Sequence, residues 1–226
     1  MACSPVPRSA EVAGTPRGPA GRLPGTAAVT LAPAAELQVW VLAASTGGIQ
    51  AVSRFLALVP PSPRVALVYV QHFVEHQHGQ LLKIVARNCA WPVRGIDYGA
   101  SLRGGWVTVP SPEERFDIDH EGLLGVAGAQ GWQAPYRPNI DEVAEQVSGY
   151  YGGRAGIIVF SGMGDDGGRG SALISAGGGQ VWVQSPASCA AVAMPEAVLR
   201  RVTPSQQGAV EDLAETFNQY LNDGPG

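Results

Sequence analysis

Short, continuously apolar segments alternate along the chain with segments in which apolar residues recur every three or four positions. The first pattern is typical of strands buried on both faces of a sheet, and the second of amphipathic helices. The predicted strands are LQVWVLA, RVALVYVQ, AGIIVF and QVWVQ, which begin at Leu37, Arg64, Ala155 and Gln180. Strands that alternate with helices predict an α/β fold with a doubly wound, mostly parallel, Rossmann-like sheet.

The predicted helices each have a continuous apolar face. The members of the first three faces are Ile49, Val52, Leu56 and Val59; Leu81, Leu82, Val85 and Ala86; and Ile140, Val143, Ala144, Val147 and Tyr151. Further helices are predicted through Leu173 and Ala176 and around residues 195–200. The apolar face of a last helix consists of Val210, Leu213, Phe217 and Leu221. We expect this helix to dock on the domain or on a partner.

Residues 93–127 break the alternation. The segments PVRGID, WVTVP, RFDID and GLLGVA are short β-like runs separated by Gly and Pro. This pattern predicts an antiparallel hairpin region at one edge of the sheet.

The composition divides the chain into three parts. More than half of residues 1–36 are Ala, Pro or Gly, and few are large and apolar, which predicts a disordered leader. Residues 37–204 contain enough apolar sequence for one core of catalytic size. Residues 205–226 hold the last amphipathic helix and a tail.

Charge and cysteine content exclude several classes of protein. A formal net charge of -4 argues against electrostatic binding to nucleic acid or to an anionic membrane surface. No apolar run approaches the roughly 18 residues of a membrane-spanning helix, so membrane insertion is not expected. Cys3, Cys89 and Cys189 form neither a disulfide framework nor a CxxC motif, which favours a reducing cytoplasm.

Three loops at the predicted carboxyl ends of strands carry chemically active residues, and ligands collect at that edge of an open α/β sheet. In the first loop, ASTGG, Ser45 lies where a strand turns into a helix. Three interpretations are open: a serine nucleophile, a phosphate-binding turn, or a helix N-cap formed by Ser45 or Thr46. The loop lacks both the lysine of a P-loop and the third glycine of a dinucleotide-binding turn.

The second loop begins with His72, directly after a strand and on the same edge as Ser45. Histidine suits general-base catalysis near neutral pH, although a histidine in this position is often structural. His76 and His78 have no evident third ligand, so we expect them to be solvated and expect no metal.

The third loop, SGMGDDGG, contains Asp165 and Asp166. An aspartate here is a candidate to orient His72, with a helix N-cap and a Mg²⁺ site through both carboxylates as alternatives. Because Ser, His and Asp each follow a predicted parallel strand, their conjunction favours a catalytic triad. The chain order Ser, His, Asp, and Ala43 in place of the first glycine of GxSxG, argue against an ordinary lipase or esterase.

The motifs LAASTGG, VQHF, YRPNID, SGMGDDGGRG and SPASCAAVAMPEAV occur in this order between about Val39 and Val202. In order and spacing they resemble the catalytic domain of the chemotaxis receptor methylesterases, the CheB family. The resemblance implies hydrolysis of γ-glutamyl methyl esters on the cytoplasmic helices of chemoreceptors, often with glutamine deamidation. The implied partners are the methylated receptor domain and other chemosensory signalling proteins, and no cofactor is expected.

The resemblance also assigns roles to residues of the three loops. Ser45 is similar to the family's nucleophile, His72 to its base and Asp166 to its orienting acid. The residue before that aspartate is commonly Asn in the family, so Asp165 departs from the pattern.

Residues around the implied triad show further matches and departures. The backbone amide of Met163 is similar to the family's oxyanion donor, Thr46 lies beside the nucleophile, and Arg137 is expected to line the cleft. Tyr136 replaces a common histidine, and PSPEERFDI stands where the family has a Pro-Gly-x-x-His pattern. These departures bear on receptor preference more than on hydrolysis.

Two features leave other functions open. Family members commonly carry an N-terminal phosphoacceptor receiver domain, whereas only the predicted leader precedes the catalytic segment here, so control by aspartyl phosphorylation is not assumed. The alternatives to an esterase are a nucleotide- or phosphate-binding module without chemistry and a catalytically inactive scaffold in a chemosensory array.

Overall fold

The computed structural model of the chain describes residues 36–73, 77–128 and 131–223. The predicted disordered leader, residues 1–36, lies outside the described residues except for Glu36.

Seven strands form one sheet in the described segments. The strands of the chain are β1 Gln38–Ala44, β2 Val65–Gln71, β3 Val93–Arg94, β4 Val107–Thr108, β5 Phe116–Ile118, β6 Leu124–Val126, β7 Ala155–Val159, β8 Gln180–Gln184 and β9 Gln206–Gly208. The sheet has the order β3-β4-β2-β1-β7-β8-β9, and every neighbouring pair is parallel. β5 and β6 form a separate antiparallel pair. The predicted doubly wound, mostly parallel sheet is confirmed.

Helices cover both faces of the sheet. They are α1 Gly48–Leu58, α2 His78–Arg87, α3 Ile140–Tyr151, α4 Gly168–Ala176, α5 Ala193–Leu199 and α6 Val210–Asp223. α3, α4 and α5 pack on one core cluster, and α1, α2 and α6 pack on the other. Val39 and Val41 of β1 face the first cluster, whereas Trp40 and Leu42 face the second. Because both faces are buried, β1 is apolar at successive positions.

None of the helices in the described segments is both long and apolar enough to cross a membrane.

Part of the region 93–127 differs from the prediction. β3 and β4, which lie in segments predicted to form antiparallel hairpins, join the main sheet in parallel with β2. Among the described residues of this region, only β5 and β6 form a hairpin. β3 and β4 contain two residues each, and a run that short has no periodicity from which its direction can be read.

α6 docks on the domain, which was one of the two predicted possibilities. All four residues of its predicted face are buried. The ring of Phe217 meets those of Trp40, Phe55 and Trp182 edge to face, at centroid distances of 5.0, 5.4 and 5.6 Å. α6 therefore completes the second core cluster. The short strand β9 was not predicted because its sequence, QQG, has no apolar side chain.

We expect Phe217→Ala to lower the free energy of unfolding by about 3–5 kcal/mol, since it leaves a cavity among three aromatic rings. Glu215→Ala, at an exposed position of the same helix, is the control and should change this free energy by less than about 0.5 kcal/mol. Urea unfolding measures both. Equal effects of the two substitutions would contradict the docking of α6.

Candidate active site

The carboxyl ends of β1, β2 and β7 bring the three predicted loops together. Ala44 and Gln71 are register partners, and the amide of the next residue, His72, donates to the Ala44 carbonyl at 3.2 Å. On the other side of β1, the Ser45 amide donates to the Ser161 carbonyl at 3.1 Å. Adjacent strands lie about 4.8 Å apart, so Ser45 and His72 leave the sheet side by side.

A buried glutamine joins the backbones of these two residues. Nε2 of Gln71 donates to the Ser45 carbonyl at 2.9 Å and to the His72 carbonyl at 3.1 Å. Oε1 of Gln71 accepts from the Tyr69 hydroxyl at 2.8 Å, which fixes the amide orientation. Burial raises the pKa of Tyr69, so its hydroxyl stays protonated and remains a donor.

The turn after β1 is closed by a glycine and not by a side chain. Gly47 is the N-cap of α1, with a φ of 78° and no side-chain hydrogen bond, so the interpretation of Ser45 or Thr46 as a helix cap is wrong. A Cβ at position 47 would lie 2.6 Å from the Ala190 Cβ and 2.9 Å from the Ser161 Oγ. Both the left-handed φ and the close contacts require glycine.

Ser45 is partly exposed at this turn. Within the described part of the chain, its hydroxyl has no hydrogen-bond partner. The hydroxyl is therefore available to an incoming group. In unliganded sites, catalytic hydrogen bonds are often long and tighten only when substrate binds.

His72 is bonded to the aspartate of the third loop. Nε2 of His72 lies 2.8 Å from Oδ2 of Asp166. The Asp166 side chain is 1% exposed and that of His72 is 12% exposed. With Nε2 turned to the carboxylate, Nδ1 is the ring nitrogen that remains for another partner.

Backbone amides hold the Asp166 carboxylate in place. The amides of Ile140, Asp141 and Gly167 donate to its two oxygens at 2.8, 2.9 and 3.0 Å. The first two of these amides begin α3, where the helix dipole favours a negative charge. The interpretation of Asp166 as the cap of the helix that follows it is wrong, because the N-cap of α4 is Gly167, with no side-chain capping bond.

Asp141 supports the same corner from its other side. Its Oδ1 accepts from the amides of Gly167 and Gly170 at 2.9 and 2.6 Å, which ties α3 to the start of α4. Burial raises the pKa of Asp141, and the Asp166 carboxylate raises it further.

A buried serine holds the turn that carries Ser45. The Ser161 hydroxyl donates to the Thr46 carbonyl at 2.7 Å and accepts from the Ala191 amide at 2.9 Å. Sequence reasoning missed both Ser161 and Gln71 as parts of the site. Their position in the sequence could have indicated them, because each is a polar residue at the end of an apolar run that predicts a buried strand.

Thr46 and Met163 flank the serine. A Cβ at Gly162 would lie 3.0 Å from the Ser45 Cβ, so the turn that carries Met163 packs against the serine. Across the described residues, the amides of Thr46 and Met163 find no acceptor. Such amides can donate to a developing oxyanion. The side chains of Thr46 and Met163 are exposed.

The YRPNID loop covers the histidine. The Tyr136 ring stacks on the His72 ring with a centroid distance of 4.8 Å and an interplanar angle of 12°. The Tyr136 hydroxyl donates to Oδ1 of Asp165 at 3.1 Å. Burial raises the pKa of Tyr136. Arg137 is exposed, and its carbonyl accepts from the Phe73 amide at 3.5 Å.

Metal-binding geometry is absent from the segments that the structure describes: no three His, Cys, Asp or Glu side chains are placed to hold an ion. His76 lies outside these segments. His78 was expected to be solvated, but its Nε2 lies 2.9 Å from the Val109 carbonyl oxygen and its ring is parallel to that of Phe73. His78 therefore has a structural position.

The fold and the site define a class of protein: a doubly wound α/β domain in which a serine and an aspartate-bonded histidine lie at the carboxyl edge of a parallel sheet. Residues 40–217 match the family model described as CheB methylesterase. This match covers more than three quarters of the chain. The chain therefore belongs to the CheB methylesterase family, and the resemblance seen in its motifs is confirmed.

Individual relatives agree with this assignment. The chain is 30% identical over 212 residues to the protein-glutamate methylesterase/protein-glutamine glutaminase 5 of Myxococcus xanthus, covering 93% of this chain and 61% of the relative. It is 29% identical over 156 residues to the protein of that name numbered 1 in Pseudomonas aeruginosa, covering 69% and 42%. The chain thus spans between 42% and 61% of the length of these relatives.

A solved structure has the same fold. The CheB methylesterase catalytic domain of Thermotoga maritima superposes with a TM-score of 0.74 at 18% sequence identity. The superposition covers 81% of this chain and 98% of that domain.

We expect Gly47→Ala to destabilise the protein by more than about 1–2 kcal/mol, because the left-handed backbone penalty adds to the contacts with Ala190 and Ser161. Gly149→Ala is a matched control. Gly149 lies on the exposed side of α3 with open space around it, so this substitution should stabilise by about 0.5–1 kcal/mol. Denaturant unfolding measures both, and a stabilising Gly47→Ala would rule out the described turn.

Proposed function

We propose that this chain is a protein-glutamate methylesterase that hydrolyses γ-glutamyl methyl esters on chemoreceptors through Ser45, His72 and Asp166. The observation that carries the proposal is the contact between His72 and the buried Asp166. His72 follows the strand that is paired with the strand before Ser45, and the chain belongs to the CheB methylesterase family. The names of the relatives, which include both methylesterase and glutaminase, support it further.

The first step is acylation of the serine. Nδ1 of His72 accepts the hydroxyl proton of Ser45 as the serine oxygen attacks the ester carbonyl. The tetrahedral intermediate collapses, its C–O bond to the methoxy group breaks, and methanol leaves with the proton from His72. Asp166 accepts the Nε2 hydrogen bond throughout and stabilises the imidazolium.

The second step returns the enzyme to its starting state. Water attacks the glutamyl ester of Ser45 while His72 accepts one of its protons. The free γ-carboxylate is released, and the proton returns to the serine oxygen. The amides of Thr46 and Met163 stabilise the oxyanion in both steps, a contribution of about 3–4 kcal/mol for a well-placed donor. Arg137, exposed on the loop that covers His72, lines the substrate cleft.

Glutamine deamidation is a second activity of the same site. The acyl-enzyme formed from a glutamine side chain is identical to that formed from the methyl ester, and only the leaving group changes, from methanol to ammonia. The relatives' names contain protein-glutamine glutaminase, which favours this second reaction.

The partner in this proposal is the cytoplasmic helical part of a methylated chemoreceptor, within a chemosensory adaptation system. The place of action is accordingly the cytoplasm. A phosphate-binding module and an inactive scaffold remain the competing functions, and the experiment below separates them from the esterase.

Ser45→Ala should lower methanol release from a receptor cytoplasmic fragment bearing glutamate methyl esters by at least about 10³-fold, since it removes the proposed nucleophile. Ser175→Ala removes an exposed serine of α4 and is the matched control, which should retain the full rate. Methanol is quantified over time for the three proteins.

Undiminished release by Ser45→Ala would refute the nucleophile assignment. Receptor binding without methanol release would favour the scaffold. Thermal stabilisation by a nucleotide, without reaction of Ser45 with a serine-directed reagent, would favour the phosphate-binding module.

A further inference from the structure

We propose that Tyr136 is a positioning residue that holds the imidazole of His72 and the Met163–Asp165 turn in one arrangement. The proposal rests on the proposed function, because it concerns the base and the oxyanion turn of that site. Tyr136 is half-buried and contacts both parts: its ring lies on His72, and its hydroxyl is bonded to Asp165.

The stacked ring restricts the histidine. The imidazole is held at Cγ by its covalent bond to Cβ and at Nε2 by the bond to Asp166, but it can still rotate about the line that joins these two points. A parallel ring at 4.8 Å removes this freedom by occupying one face of the imidazole. Nδ1 is then held at one angle. An aromatic face within about 6 Å also stabilises the imidazolium formed when His72 accepts a proton.

The hydroxyl restricts the turn. It donates to Oδ1 of Asp165 at 3.1 Å, and the Asp165 amide approaches the same oxygen of Tyr136 at 3.4 Å. A Cβ at Gly164 would lie 2.4 Å from the Tyr136 hydroxyl oxygen, so the turn passes directly over the tyrosine. The Met163 amide belongs to this turn. One side chain therefore sets the relative position of the base and of an oxyanion donor.

Two substitutions separate the ring from the hydroxyl. Tyr136→Leu removes the stacked face, and Tyr136→Phe keeps the face but removes the bond to Asp165. Tyr98→Phe is a matched control, because the Tyr98 hydroxyl also donates to a carboxylate oxygen, Oε2 of Glu114, at 3.1 Å. Tyr98 and Glu114 are exposed and belong to no part of the proposed site.

The probe is an alkyl fluorophosphonate, which phosphonylates an activated serine with loss of fluoride and needs no receptor. The second-order rate constant of this reaction should fall about 10–100-fold in Tyr136→Leu and about 3–10-fold in Tyr136→Phe, because misplacement of catalytic groups by about 1 Å costs up to roughly 100-fold. With the methyl ester as substrate, the loss should appear in kcat and leave KM unchanged. Tyr98→Phe should react like the unaltered protein.

A spectroscopic signature tests the stacking independently of reactivity. In NMR spectra of the resting protein, the His72 Cε1 proton should carry a ring-current shift that Tyr136→Phe retains and Tyr136→Leu loses. A folded Tyr136→Leu protein that reacts within twofold of the unaltered rate would overturn the proposal, as would a failure of the unaltered protein to react. Phosphonylation without methanol release would instead refute the methyl ester as substrate and leave the role of Tyr136 supported by its own variants.

Discussion

The site depends on the burial of one carboxylate. A buried charge is tolerated only where hydrogen-bond donors replace the water that it loses. Among the described residues, Asp166 has four such donors: the amides of Ile140, Asp141 and Gly167, and Nε2 of His72. Two of the amides come from the first turn of α3, so the packing of this helix on the sheet also determines where the negative charge lies. The position of His72 follows from that charge, because its ring nitrogen supplies the fourth bond.

Strand register determines where the loops of the site begin. β1 lies between β2 and β7, and pairing along β1 fixes where each neighbouring strand ends. The side chains of Gln71 and Ser161 then hold the loops that follow these strands, because they form hydrogen bonds to backbone carbonyls beyond the last paired residues. Both side chains are buried, where an unpaired polar group would cost about 1–3 kcal/mol. A displacement of Ser45 relative to His72 would break these bonds, so this cost opposes the displacement.

The sequence was sufficient to predict the architecture and the three loops. Apolar runs of buried strands and the regular spacing of apolar residues in amphipathic helices can be recognised in a single sequence. The sequence was insufficient where the conformation of a segment depends on pairing with residues far away in the chain. The direction of β3 is set by β4, which is 13 residues away and itself two residues long. Local preference left a helix-cap interpretation open at Ser45 and Asp166, since both residue types favour helix caps. Gly47 and Gly167 close those turns in left-handed conformations, so neither Ser45 nor Asp166 caps the helix that follows it.

Strand order also explains which nitrogen of the histidine meets the aspartate. In proteases of the chymotrypsin type the aspartate bonds Nδ1 and the serine faces Nε2, whereas here Asp166 bonds Nε2. Ser45 lies on the strand adjacent to His72, so it is near the backbone of the histidine, where Nδ1 lies. Asp166 follows β7, on the far side of β1, and the distal nitrogen of His72 reaches its carboxylate. In the order β2-β1-β7, the distal nitrogen of His72 is therefore the one that bonds the aspartate beyond β1.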